Sequence, residues 1–109
     1  MSMRVRVCGV GDVPPGEMRA FPVDGLLLPV LVANLDGRFA AAASICPHED
    51  VSLVDGDLVG TRVICPGHSY AFDLDTGRCA HDGTLRLRRF PVTLEGDDVW
   101  IAVDLFAPA

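Results

Sequence analysis

Two thiols and two imidazoles stand in matched pairs near the middle of this chain, as Cys46-Pro47-His48 and Cys65-Pro66-Gly67-His68, with the sixteen residues 49–64 between them. Each pair is compressed into a few residues of backbone, and Pro47, Pro66 and Gly67 favour turns over continuing strands or helices. Thiolate and imidazole suit borderline-soft metals, so two such loop tips can hold one inorganic centre between them. Tetrahedral zinc on two Cys and two His is one such centre. The order of the residues points elsewhere, because each loop offers one sulfur and one nitrogen. Compact zinc sites usually read as C-x2-C followed by a second pair.

In these residues the chain resembles the Rieske family, whose motif is C-x-H, a spacer of about this length, then C-x2-H. The resemblance implies one [2Fe-2S] cluster per chain, with two Cys on one iron and two His on the other. Transferred to this sequence, Cys46 and Cys65 would hold the inner iron, and His48 and His68 the outer. It also implies a Rieske-like all-β sandwich or barrel with a small inserted cluster-binding subdomain. The likeness continues from Ser69 to Val103 in the order of turns and strands, and more faintly over residues 1–40.

Several positions place the chain within that family. High-potential Rieske proteins of respiratory complexes carry a Ser and a Tyr, two and four residues after the last histidine, that donate hydrogen bonds favouring the reduced state. Here those positions are Tyr70 and Phe72. The same branch ties its ligand loops with a disulfide, where this chain has Val51 and Gly67. The resemblance is therefore to the low-potential Rieske-type ferredoxins that feed oxygenases, within a family spanning roughly −150 to +300 mV. Many members also cover the cluster with a third, proline-containing loop. Residues 78–85 lack proline, so the cover is expected to be looser or differently built. His81, in this stretch, reads as a solvated turn histidine.

The elements that must position these loops read as strands. Met3 to Cys8 alternates charged and apolar residues, the period of a strand with one wet face. Glu17 to Val23 follows as a second strand, and Leu26 to Asn34 as a buried central one in which Pro29 suggests a bulge or an edge. Asp36-Gly37 is a strong hairpin turn, returning through a strand from Arg38 to Ser44 that delivers Cys46. Between the ligand pairs come the turn Asp55-Gly56-Asp57 and a strand from Leu58 to Ile64 with a break at Gly60. Ser69 to Asp73 is a strand, closed by a hairpin whose Gly77 needs positive φ. Leu85 to Phe90, Pro91 to Leu94 and Val99 to Leu105 complete the set. The expectation is one all-β domain over residues 1–109, with 45–83 as the cluster-binding subdomain and 1–44 and 84–109 as its base. Trp100, Phe21, Phe39, Phe90 and Phe106 are assigned to core packing.

Composition narrows the function. A net charge of −6, without a basic stripe, disfavours nucleic acid and favours positively charged docking partners. Glu49, Asp50, Asp55, Asp57 and Asp82 follow the ligand loops and read as a solvated rim. No apolar run reaches the roughly eighteen residues of a membrane span, and the N-terminal residues lack the apolar core of a secretory signal, so a cytoplasmic location is expected. Cys8 and Cys79 are then expected as free, packed thiols. A mononuclear oxygenase iron needs two histidines and a carboxylate, and only His81 remains once the motif is filled. With no nucleophile and base pair either, catalysis gives way to one-electron transfer. From the resemblance, the expected partners of a monomeric carrier are a flavin-containing NAD(P)H ferredoxin reductase and a terminal oxygenase, with an aromatic-ring dioxygenase as the acceptor. Two alternatives stand beside it: a small Rieske-like subunit of a nitrite-reductase-type complex, and a structural zinc module.

Overall fold

The structure, a computed structural model, describes residues 2–48, 50–67 and 69–104. Of the residues singled out above, Glu49, His68, Leu105 and Phe106 lie outside these. Ten strands are described, with two three-residue 3-10 turns at Val10–Asp12 and Leu53–Asp55. No helix among the described residues is long and apolar enough to cross a membrane.

The strands form three antiparallel sheets. In the first, β1 (Ser2–Gly9) pairs with β10 (Asp98–Asp104), which pairs with β9 (Val92–Glu95). The second runs in the order β2 (Met18–Phe21), β3 (Val30–Leu35), β4 (Arg38–Ala43) and β8 (Arg89–Phe90). The third is the meander β5 (Asp57–Val59), β6 (Arg62–Ile64) and β7 (Ala71–Asp73), which lies between the two ligand pairs and just after them.

The second sheet is the middle layer, and strand periodicity explains how. Successive side chains point to opposite faces. On one face Val30, Val32, Phe39 and Ala41 pack with Cys8, Val99, Ile101 and Val103 of the first sheet. On the other, Leu31, Ala33, Ala40 and Ala42 pack with Val63, Phe72, Cys46 and Cys65 around the ligand loops. An apolar run without alternation is what a strand buried on both faces requires. The alanines of β4 keep both contacts close. Cys8 and Cys79 belong to different cores, on opposite faces of this sheet, and both are buried free thiols.

Several boundaries differ from the sequence reading. The strand expected from Leu26 begins only at Val30, because Pro29 has no N–H to give the ladder. Gly25, at φ 89°, instead turns the chain out, leaving Leu27 and Leu28 exposed. Pro29 thus marks neither a bulge nor an edge, since β3 is internal to its sheet. The stretch from Leu58 to Ile64 is a hairpin of two strands, reversed at Gly60 (φ 60°). Of Leu85 to Phe90 only the last two residues are strand. Leu87 N–H donates to the Gly77 carbonyl at 2.8 Å and Ala43 N–H to that of Arg88 at 2.9 Å, so this segment stitches third sheet to second. Elsewhere the strand expected from Arg38 to Ser44 is present as Arg38–Ala43, and the Asp36-Gly37 turn (φ 58° and 98°) and the positive φ of Gly77 (78°) agree with expectation.

Candidate metal centre

Each ligand loop is closed by its own backbone. Ser44, buried at the end of β4, donates from Oγ to the Pro29 carbonyl at 2.7 Å and fixes the point of entry. Cys46 N–H then donates to the Val51 carbonyl (3.0 Å), Leu53 N–H to that of Ser44 (2.8 Å), and Ile45 bridges Ser52. The second loop repeats the plan: Cys65 N–H donates to the Tyr70 carbonyl (2.8 Å) and Ser69 N–H to that of Cys65 (3.0 Å). Ser69 closes this turn at φ 59°, a left-handed conformation uncommon outside glycine.

Gly56, beyond the first loop, lies against the entry to the second. A Cβ there would lie 1.8 Å from the Ile64 carbonyl oxygen and 3.1 Å from Pro66 Cδ. The Asp55-Gly56-Asp57 turn signal in the sequence carries no sign of this close approach.

These constraints bring Cys46 Sγ, Cys65 Sγ and one imidazole nitrogen of His48 within 4.8 Å of one another. The two cysteines are 3% and 1% exposed, and His48 is half-buried with its Nδ1 shielded from solvent. Two thiolates packed this deeply among Leu53, Val63 and Phe72 would be costly alone, and a cationic centre between them offsets that cost. The donor set thus fits a metal–sulfur group. His68, the fourth residue of the motif, lies outside the described residues.

Around this centre the third loop is pinned without proline. Ala80 N–H donates to the Ala71 carbonyl at 2.8 Å, and Phe72 bridges Cys79. Asp82 Oδ1 accepts from Thr84 N–H (2.9 Å) and from Thr84 Oγ1 (2.6 Å), which holds the Asp82 carboxyl below the usual carboxylate range. The cover is therefore built differently, by hydrogen bonds. His81 is exposed as expected, yet its ring stacks on Tyr70 (5.4 Å between centroids, 13° between planes), and Tyr70 stacks on His48 (4.2 Å, 27°). Phe72 is fully buried. Asp50, Asp55 and Asp57 are exposed, as a solvated rim would be.

An all-β fold in which two thiols and an imidazole converge from two closed loops defines a metal-binding protein of mixed sulfur and nitrogen ligation. The Rieske [2Fe-2S] domain profile matches residues 3–91. The chain belongs to the Rieske [2Fe-2S] domain family, and its cofactor is the [2Fe-2S] cluster; a structural zinc module is set aside. It is 39% identical over 101 residues (92% of this chain, 81% of the relative) to the ferredoxin component of the alkene monooxygenase system of Xanthobacter autotrophicus. It is 38% identical over 100 residues (91% and 92%) to the ferredoxin component of biphenyl 2,3-dioxygenase of Rhodococcus jostii. Among solved structures it matches one in a complex of reduced oxygenase and oxidized ferredoxin of carbazole 1,9a-dioxygenase, with a TM-score of 0.82 at 32% identity, covering 91% of this chain and 92% of that one.

Proposed function

We propose that this protein is a Rieske-type ferredoxin, a one-electron carrier between a flavin-containing NAD(P)H reductase and a terminal oxygenase. The observation that carries this reading is its similarity, over nine-tenths of the chain, to ferredoxin components of oxygenase systems at 38 and 39% identity. The same similarity favours the carrier over a nitrite-reductase subunit. Cys46 and Cys65 hold the inner iron, and His48 and His68 the outer, with residues 45–83 acting as the cluster-binding part of the domain. When bound, the cluster accepts and returns one electron. The protein's share is to bury the thiolates, fix the half-buried His48 imidazole and keep water from the sulfur side.

The potential belongs to the low branch. Position 72 offers a phenyl ring where a tyrosine hydroxyl would favour the reduced state, and the ring of Tyr70 is stacked on His48. The acceptor is an aromatic-ring dioxygenase, the class to which the biphenyl relative is assigned by name. The carrier acts as a cytoplasmic monomer. The test is anaerobic mixing of the purified protein with NADH and a catalytic amount of flavin reductase, followed by oxygenase and substrate. One-electron bleaching of the visible absorption, then recovery on adding an aromatic-ring dioxygenase, is expected. Failure to be reduced, or stable co-purification with a nitrite reductase large subunit, would contradict the reading.

A further inference from the structure

Three loops meet at the candidate centre, and each contributes one ring to a column. His48 comes from the first, Tyr70 from the end of the second, and His81 from the third. We propose that Tyr70 and His81 are positioning residues for the His48 imidazole, with the Tyr70 ring shielding its face and the His81 ring clamping Tyr70 from the other side. This rests on the ligand assignment above.

A turn histidine with no task would point into solvent, but His81 is held at two points. Its Nδ1 accepts a hydrogen bond from Ala71 N–H at 3.2 Å, so the neutral ring carries its proton on Nε2. Its own N–H donates to the buried Cys79 Sγ at 3.4 Å. Ala71 adjoins Tyr70, so the first bond ties the outer ring of the column to the chain that bears the middle one. Tyr70 is half-buried between two rings, and its face contact restricts rotation of the His48 ring about χ2, a torsion that is otherwise broad. A mobile imidazole would vary both the orientation of its nitrogen and the access of water.

The sign of the effect follows from charge. In the oxidised state the two thiolates balance the core, and reduction adds one negative charge. Water stabilises the charged state more than the neutral one. Releasing Tyr70 from its clamp admits water to the His48 face and therefore raises the potential.

Two substitutions separate the ring from its hydrogen bond. His81→Asn keeps an acceptor for Ala71 N–H and removes the ring, whereas His81→Phe keeps a ring and removes the acceptor. Potentiometric titration and reduced-state electron paramagnetic resonance on both, beside the unaltered protein, are the measurements. H81N is expected to show a raised potential and a changed g-anisotropy, with H81F close to the parent; Tyr70→Leu should shift at least as far as H81N. Loss of the cluster from H81N with retention in H81F would also support the column. No shift in H81N, an equal shift in H81F, or loss of the cluster from both would overturn it. The unaltered protein must show a Rieske signal; its absence would sink the cluster assignment, and the column with it.

Discussion

At Gly56 one hydrogen in place of a methyl group decides whether the chain can pass close to Ile64 and Pro66, the residues that flank Cys65. Its φ of −91° is open to any residue, so the requirement comes from the 1.8 Å approach of the Ile64 carbonyl and not from backbone conformation. Gly56→Ala should cost at least about 2–3 kcal/mol, by overpacking against a backbone that cannot yield, and should lower cluster content. Urea unfolding and iron analysis of the purified variant would check both. Cys8 shows the other kind of constraint on a single group. Burial, with Asp12 nearby, pushes its thiol up to about 11. The folded state thus holds the proton over a range in which the unfolded chain, near its ordinary value, releases it. The resulting stability is present below about pH 9 and is lost as pH rises towards 11. Cys8→Ala should flatten the fall in thermal midpoint over that window. At this scale the grouping of Cys46, His48 and Cys65 could be anticipated because type and spacing alone carried it. The roles of Gly56, Tyr70 and His81 could not, because their partners lie far away in sequence.

The hairpin joining β3 to β4 is the element most fully written in the sequence. Leu35 pairs with Arg38 across two residues, and Asp36 and Gly37 both take positive φ. Nothing lies within 4 Å of a Cβ built at Gly37, so a side chain there meets only the conformational cost. Gly37→Ala should lower stability by about 1–2 kcal/mol in thermal or denaturant unfolding and leave the visible spectrum unchanged. That contrast with Gly56→Ala separates the base of the fold from its site. Asn34 caps the same turn from within, accepting from Gly37 N–H at 2.7 Å and donating to the Val13 carbonyl at 2.8 Å. In sequence it was only the polar end of an apolar run. The opposite error lay at Leu26 to Pro29, where hydrophobicity suggested a strand and the proline refused one. Periodicity reports which face is buried; it does not report where the ladder starts.

For the whole molecule, the arrangement is three sheets with the second packed on both faces. One face builds the base, the other the floor of the metal centre. The layers are also tied at the surface, where Arg38, at the start of β4, pairs through both terminal nitrogens with Asp75 beyond β7. This pairing holds the Asp75 carboxyl below the usual carboxylate range. The all-β class and the strand order along the chain could be read from alternation and turns. The double use of one sheet could be guessed only from the lack of alternation in β3 and β4. Charge acts at this scale too, since −6 on 109 residues favours a basic partner surface and rapid, salt-sensitive encounter. The central claim is that the two closed loops hold a Rieske cluster that moves single electrons. The most direct test is reduced-state electron paramagnetic resonance of the purified protein, with iron and sulfide quantified on the same sample. A reddish-brown protein with two irons and two sulfides per chain, and one unpaired spin of Rieske character after reduction, is the predicted result. A colourless protein holding zinc, or iron without sulfide and without that signal, would contradict it.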